Sequence, residues 1–214
     1  MKIAVITDDT LKEEWMARGM QDAVLVEWLS EPIAVENAEC YMDLLFHPDT
    51  VRINKLQKLS AGSSGQPAVI IVNSVIVTGN NLPENFIRIN GWPTFLKRTV
   101  VESSCSNDDL KTRVEKIFEA FNKKTEWVPD VPGFITARVI SMIINEAYFT
   151  LDEKVSSKKE IDIAMKLGTN YPYGPFEWSE KIGLKNVYEL LTMLSNTNPR
   201  YEPAGLLKKE ASFS

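Results

Sequence analysis

The rhythm of apolar and polar positions changes once along the chain. Up to about residue 128, short continuous apolar runs alternate with stretches of helical spacing; beyond that point only helical spacing is present. Apolar runs at 3–6, 23–27, 40–46 and 68–72 predict buried strands. The spacing over 10–19 and 49–59 predicts helices, the first with Asp9 or Thr10 as N-cap and Gly19 as its stop, and the second followed by a loop at 60–65. Continuous apolar strands separated by helices imply a parallel sheet covered on both faces. Two further strand-like runs lie at 85–89 and 98–102. A long amphipathic helix is predicted over 107–122, with Leu110, Val114, Ile117, Phe118 and Phe121 on one stripe. Glu126-Trp127-Val128 then leads into Pro129-Asp130-Val131-Pro132-Gly133, the expected boundary between a domain of residues 1–128 and one of residues 129–214.

The second half predicts helices alone. Pro132 suits the first turn of a helix running to about Asp152, which is apolar nearly all round: Phe134, Ile135, Val139, Ile140, Met142, Ile143, Ile144 and Phe149. Such a helix needs cover on several sides, from its own domain or from a partner subunit. Ser157-Lys158-Lys159-Glu160 forms a capping box that opens a helix ending at Gly168, and further helices fit 175–181, 184–195 and 203–211.

Composition narrows the function classes. The 214 residues are 44% hydrophobic and 25% charged, ordinary values for a globular chain, and the net charge of −5 with no Lys/Arg cluster argues against a nucleic-acid binder. The longest apolar stretch, 131–148, carries Arg138, Asn145 and Glu146, which a membrane span would not tolerate well. Cys40 and Cys105 make neither a disulfide framework nor a metal pattern. Free thiols, no leader-like segment at the start and no span together read as a cytoplasmic protein.

A series of motifs occupies the second half in fixed order: V-P-G-F-I-T-A-R at 131–138, I-I-N-E-A at 143–147, E-I-D-I-A-M-K-L-G-T-N-Y-P-Y-G-P-F-E-W at 160–178, I-G-L at 182–184 and R-Y-E-P-A-G-L-L at 200–207. This series resembles the C-terminal helical domain of the 3-hydroxyacyl-CoA dehydrogenases. Within 83–102, Pro83-Glu84-Asn85-Phe86-Ile87-Arg88-Ile89 and Val100-Val101-Glu102 look like the segments on either side of that family's catalytic histidine, whereas 1–72 resembles it in topology only. The resemblance implies an α/β plus all-α chain: a truncated Rossmann-like parallel-sheet domain, then a helical domain of 3-hydroxyacyl-CoA dehydrogenase type.

It also implies a chemistry. The family oxidises the 3-hydroxyl of an acyl-CoA with NAD, a histidine taking the proton, a glutamate orienting it, and a serine and an asparagine holding the substrate oxygen and cofactor. Anchoring on Pro83 and Glu102 places Asn90 at the histidine and keeps Glu102 as the glutamate. Asn73-Ser74-Val75-Ile76 puts Val75 at the serine, and Pro132-Gly133-Phe134-Ile135-Thr136-Ala137-Arg138 puts Ala137 at the asparagine. Asn90 has no proton affinity near neutral pH, and Val75 and Ala137 offer no side-chain hydrogen bond. His47, the one histidine, reads as an ordinary loop residue. Glu102 reads either as a retained dyad member or as a strand-end carboxylate kept for a structural hydrogen bond. Trp92, Trp127 and Trp178 read as core.

The cofactor turn departs as well. A dinucleotide fold places G-x-G-x-x-G after its first strand so that backbone can approach the diphosphate. Here the turn is Thr7-Asp8-Asp9-Thr10-Leu11-Lys12, and the Asp8 and Asp9 carboxylates would repel an anion. Glu27, expected to end the second strand, and Asn73 stand at positions where the family binds cofactor; only nine residues, 29–37, follow the second strand in place of a helical excursion. Two functions remain open: a catalytically impaired family member acting in fatty-acid metabolism as a binding or scaffold protein, and an active NAD-dependent 3-hydroxyacyl-CoA dehydrogenase. The expected partners are a second copy of the chain through the helical domain, with Ile140 and Ile144 at the contact, and an acyl-CoA.

Overall fold

The computed structural model describes residues 1–61 and 66–213. It divides into two compact units, Met1–Phe134 and the remainder from Ile135.

In the first unit, seven strands among the described residues form one sheet: β1 (Lys2–Ile6), β2 (Leu25–Leu29), β3 (Cys40–Asp43), β4 (Val69–Asn73), β5 (Phe86–Ile89), β6 (Val100–Ser104) and β7 (Lys124–Trp127), in the order β2-β1-β3-β4-β5-β6-β7. Helices α1 (Asp9–Met16), α2 (Thr50–Ala61) and α3 (Lys111–Glu119) complete it. Strands β1, β3 and β4 are buried on both faces, which is why they read as unbroken apolar runs. On one face Ile3, Val5, Cys40, Met42, Val69 and Ile71 pack with Trp15, Phe118 and Phe121; on the other, Ala4, Ile6, Tyr41, Ile70 and Val72 pack with Leu56 and Phe86.

Several expectations shift. The second strand runs over Leu25–Leu29, two residues later than its apolar run suggests. The third ends at Asp43, because Leu44 and Leu45 belong to a turn that the Asp43 carboxylate closes by accepting from Leu45 N at 3.1 Å. Ser60 and Ala61 belong to α2, and the rest of the loop expected there, 62–65, lies outside the described residues. The helix expected over 107–122 opens as a 3-10 turn and ends at Glu119; Asn122, at φ 54°, reverses the chain into β7, a strand that its polar sequence conceals. The sheet is also not wholly parallel: β5 and β6 run antiparallel, pairing Arg88 with Ser104 and Ile89 with Ser103.

The unit boundary falls after Phe134 rather than at 128–129. The intervening segment is fastened to the sheet unit. Asp130 pairs with Arg88 and accepts from Gly79 N at 2.8 Å, and Gly133 N donates to Val75 O at 2.8 Å.

The second unit contains α4 (Thr136–Asp152), α5 (Lys158–Thr169), α6 (Pro175–Ile182), α7 (Leu184–Ser195) and α8 (Gly205–Ala211), with no strand among its described residues. Helix α4 starts at Thr136 rather than near Pro132, because Gly133 (φ 82°) and Phe134 (φ 48°) occupy the left-handed region. The expected capping box holds: Ser157 Oγ accepts from Glu160 N while Glu160 accepts from Ser157 N. Asn145 ties α4 to the start of α8, donating to Glu202 O at 2.9 Å and accepting from Ala204 N at 2.8 Å. Ile140 and Ile144 are 7% and 0% exposed, so they do not present an outward face; the exposed apolar side chains are Ile135, just before α4, and Val139 and Phe149 on it. No helix among the described residues is long and apolar enough to cross a membrane.

The G-P-F-E motif acquires a physical meaning here. Helix α6 lacks a capping side chain of its own, and Asp162 on α5 supplies one, accepting from Phe176 N at 2.8 Å and Glu177 N at 3.3 Å. A Cβ at position 174 would collide with that carboxylate, so Gly174 is what admits it. Gly174→Ala is therefore expected to cost roughly 2–3 kcal/mol in urea unfolding by overpacking the cap. The same change is expected to be milder in an Asp162→Ala background; equal costs in both backgrounds would refute the assignment.

Candidate active site

The catalytic positions that the resemblance singles out in the sheet unit lie after β4 (Val75), after β5 (Asn90) and within β6 (Glu102). Asn90 follows β5, is 3% exposed, and faces Glu102 on β6. Its backbone N–H donates to Glu102 O and its Nδ2 donates to Glu102 Oε2, both at 3.0 Å. A carboxylate oriented on the side chain at 90 is the geometry a dyad requires, with an amide in place of an imidazole. Arg98 stacks on the Phe95 ring at 4.5 Å; burial lowers its pKa and the nearby Glu102 charge raises it.

The β4 end is held by backbone-directed contacts. Asn73 grips Gly91: its Oδ1 accepts from Gly91 N at 3.0 Å and its Nδ2 donates to Gly91 O at 3.0 Å and Leu44 O at 3.2 Å. Its amide is thus engaged in fixing the turn after Asn90. Val75 is buried, and its carbonyl accepts from Gly133 N and from the Arg88 guanidinium at 3.3 Å. Arg88, 1% exposed, also donates from Nε to Ser74 O at 3.0 Å, pairs with Asp130 and lies 4.7 Å from the Phe134 ring centroid. Burial lowers the Arg88 pKa and Asp130 opposes the shift. Ser104 Oγ completes the cluster with a 3.2 Å bond to Asp130. Ala137 belongs to the helical unit, fully buried in the first turn of α4.

The switch point, where β2 lies on one side of β1 and β3 on the other, opens on the same carboxyl edge of the sheet, nearer its β2 side. Asp8, rather than Asp9 or Thr10, is the N-cap of α1: its carboxylate accepts from Leu11 N at 2.8 Å, with Asp9 exposed in the first turn. Glu27 lies within β2, not at its end, and pairs with Lys2 at 2.8 Å. Past the strand ends a different network has formed. Arg52 on α2 holds the buried Asp43 through two bonds of 2.7 and 2.9 Å and reaches Glu31 at 3.8 Å. Burial raises the Asp43 pKa, and the Arg52 bond holds it down. Among the described residues no group of three or more His, Cys, Asp or Glu is placed to hold a metal ion.

Sequence reasoning missed Arg88, Asp130, Asp43 and Arg52. The available signal was a charge inside an apolar strand run, Arg88 in Phe86-Ile87-Arg88-Ile89 and Asp43 in Met42-Asp43-Leu44. Such a residue is tolerated only when it is paired.

The family model for the 3-hydroxyacyl-CoA dehydrogenase C-terminal domain matches residues 133–212. Over 194 residues the chain is 31% identical to the 3-hydroxyadipyl-CoA dehydrogenase of Escherichia coli (strain K12), an alignment covering 86% of this chain and 39% of that protein. This chain belongs to the 3-hydroxyacyl-CoA dehydrogenase family. A second family member, the 3-hydroxybutyryl-CoA dehydrogenase of Bradyrhizobium diazoefficiens, is 33% identical over 139 residues, 63% of this chain and 47% of the relative. The alignments thus span less than half the length of either relative. The solved (S)-3-hydroxybutyryl-CoA dehydrogenase of Ralstonia eutropha, 18% identical, agrees in fold with a TM-score of 0.74 over 99% of this chain and 93% of that one.

Family members are NAD-dependent. The α1 turn of this chain does not fit a dinucleotide diphosphate. The Asp8 carboxylate already occupies the N-terminal amide of Leu11, Asp9 adds a second negative charge, and the turn contains no glycine to admit a close approach. Compared with the usual dinucleotide-binding order 3-2-1-4-5-6, the sheet also ends at β2 without an outer strand, and no helix lies between Leu29 and Cys40.

The Arg88 cluster sets the stability of the site. Asp130→Ala would leave a guanidinium buried without its counter-charge and is expected to lower unfolding free energy by about 3 kcal/mol. Asp130→Glu is expected to recover part of that loss; a neutral Asp130→Ala in denaturant unfolding would contradict the assignment.

Proposed function

We propose that this chain is a 3-hydroxyacyl-CoA dehydrogenase relative that does not carry out the redox step and serves as an acyl-CoA-binding or scaffold protein. The observation that carries this reading is the Asn90–Glu102 pair: the frame that orients a side chain for base catalysis is present, and the side chain within it is an amide. An amide exchanges hydrogen bonds with a hydroxyl or a thioester oxygen but accepts no proton near neutral pH, and losing a positioned base typically removes about 10²–10⁴-fold of rate. The carboxylates at the α1 turn support the companion reading that NAD is bound weakly or not at all.

The test is NADH consumption with acetoacetyl-CoA, alongside an NADH fluorescence titration. The expected results are no turnover above the protein-free control and no saturable binding up to ~100 μM, a concentration that spans common cofactor ranges. Normal turnover would overturn the proposal in favour of an active NAD-dependent dehydrogenase. Asn90→His with Ala137→Asn is expected not to restore activity while Asp8 and Asp9 remain.

We also propose a homodimer formed through the helical unit. Ile135 at the N-cap of α4 and Val139 and Phe149 on it are 54%, 52% and 40% exposed, apolar side chains along one side of the helix that a second copy would cover. Burial of more than about 2,000 Å² is the scale of an obligate interface. Val139→Glu with Phe149→Glu is expected to convert the dimer to a monomer in sedimentation. A wild-type chain that sediments as a monomer at micromolar concentration contradicts the proposal.

A further inference from the structure

Asn90 is followed by Gly91, and Asn-Gly is the sequence in which a backbone nitrogen attacks the preceding side-chain amide with least hindrance, because glycine has no Cβ. The fold requires that glycine. A Cβ at 91 would come within 2.6 Å of Asn73 Cγ, so no larger residue fits while Asn73 is in place. The chain therefore carries a chemically labile pair at a buried position, for a packing reason.

The consequences of reaction here are severe. Attack of Gly91 N on Asn90 Cγ forms an N–Cγ bond, breaks the Cγ–Nδ2 bond and releases ammonia, which takes up the proton lost from Gly91 N. Water then opens the five-membered imide at either carbonyl, leaving an aspartate or an isoaspartyl linkage. An aspartate would set a carboxylate against Glu102 where the amide now donates at 3.0 Å, and like charges facing each other across a strand pair are destabilising. An isoaspartyl linkage would add a backbone atom beside the β5–β6 pairing of Arg88 with Ser104 and disturb the Asn90 N–H to Glu102 O bond.

We propose that Asn90–Gly91 is a latent deamidation site and that Asn73 is the residue that keeps it unreacted. Three contacts oppose the reaction. Asn73 Oδ1 accepts from Gly91 N at 3.0 Å, which retains the proton that must leave and aims the nitrogen at Asn73 instead of Asn90 Cγ. Asn73 Nδ2 donates to Gly91 O at 3.0 Å, so Gly91 is held through both its N–H and its C=O, which resists the backbone rotation that the attacking geometry needs. The Asn90 side chain is held toward Glu102 by its own 3.0 Å bond. Asn73 thus both creates the need for glycine and suppresses the reactivity that glycine brings. The inference stands independently of whether the site binds an acyl-CoA.

The test is peptide mass spectrometry of the Asn90-containing fragment after incubation of the folded protein in mildly alkaline buffer, with isoaspartyl content read by enzymatic methyl labelling. Asn73→Ala is expected to convert Asn90 at least roughly tenfold faster than wild type, the scale on which loss of positioning changes an intramolecular rate. Asn73→Ala with Gly91→Ala, in which the removed side chain makes room for the new Cβ, is expected to return to the slow rate. Equal rates in wild type and folded Asn73→Ala would overturn the proposal, as would fast conversion in the double variant. If Asn73→Ala does not fold, wild type decides: the Gly91 amide is expected to exchange slowly with solvent, and Asn90 to stay intact natively but convert in urea. A fast-exchanging Gly91 amide, or equal conversion in native and urea-unfolded protein, would overturn it.

Discussion

The buried guanidinium of Arg88 is the constraint around which the sheet unit closes. A charge 1% exposed is tolerable only if its donors are satisfied, and here they reach Ser74 O, Val75 O and Asp130 from one side chain. That requirement holds the turn after β4 against β5, and it draws the 129–134 segment onto the same unit. The antiparallel β5–β6 pair lies beside this guanidinium. Arg88 and Asn90, two residues apart, share a face, and their partners across the strand pair, Ser104 and Glu102, are polar as well. These two polar cross-strand pairs stand next to the positions that the family uses for chemistry.

The strand ends around β1 and β3 are closed by their own charges. A helix N-terminus at a switch point is an anion site by default. In this chain the Asp8 carboxylate holds the Leu11 amide and Arg52 neutralises Asp43, so carboxylates already stand where a diphosphate would approach. The chain has kept the frame and fold of its family, while polar side chains along the carboxyl edge of the sheet are engaged within the chain: Asp8 with Leu11, Asp43 with Arg52 and Asn90 with Glu102.

Legibility in the sequence followed the physics of each element. Strands buried on both faces and helices with a clear cap or apolar stripe were read nearly to the residue: Ile3 to Ile6, the Ser157 capping box and the helix from Leu184 to Ser195. Strand β7, Lys124-Thr125-Glu126-Trp127, was missed because an edge strand has no need of apolar alternation. The start of α4 was misplaced because Pro132 mimics a helix opening that Gly133 and Phe134 then forbid. In the candidate site, Asn90 and Glu102 were singled out through the family resemblance, anchored at Pro83 and Glu102, and the structure brings their side chains together. Arg88, Asp130 and the Arg52 network were not legible, because pairing between residues 42 and 9 positions apart depends on how the strands are ordered. Ile140 and Ile144 were assigned to an outward face because periodicity marks an apolar stripe without saying which stripe the chain covers itself.

The central claim is that Glu102 still orients whatever side chain stands at position 90. Replacing Asn90 with histidine and following that imidazole by NMR titration tests it directly, in chains with Glu102 and with Glu102→Gln. A retained dyad frame predicts a pKa higher by about one unit or more when the carboxylate is present, since an opposing charge within hydrogen-bond reach favours the imidazolium. The same midpoint in both chains would contradict the account.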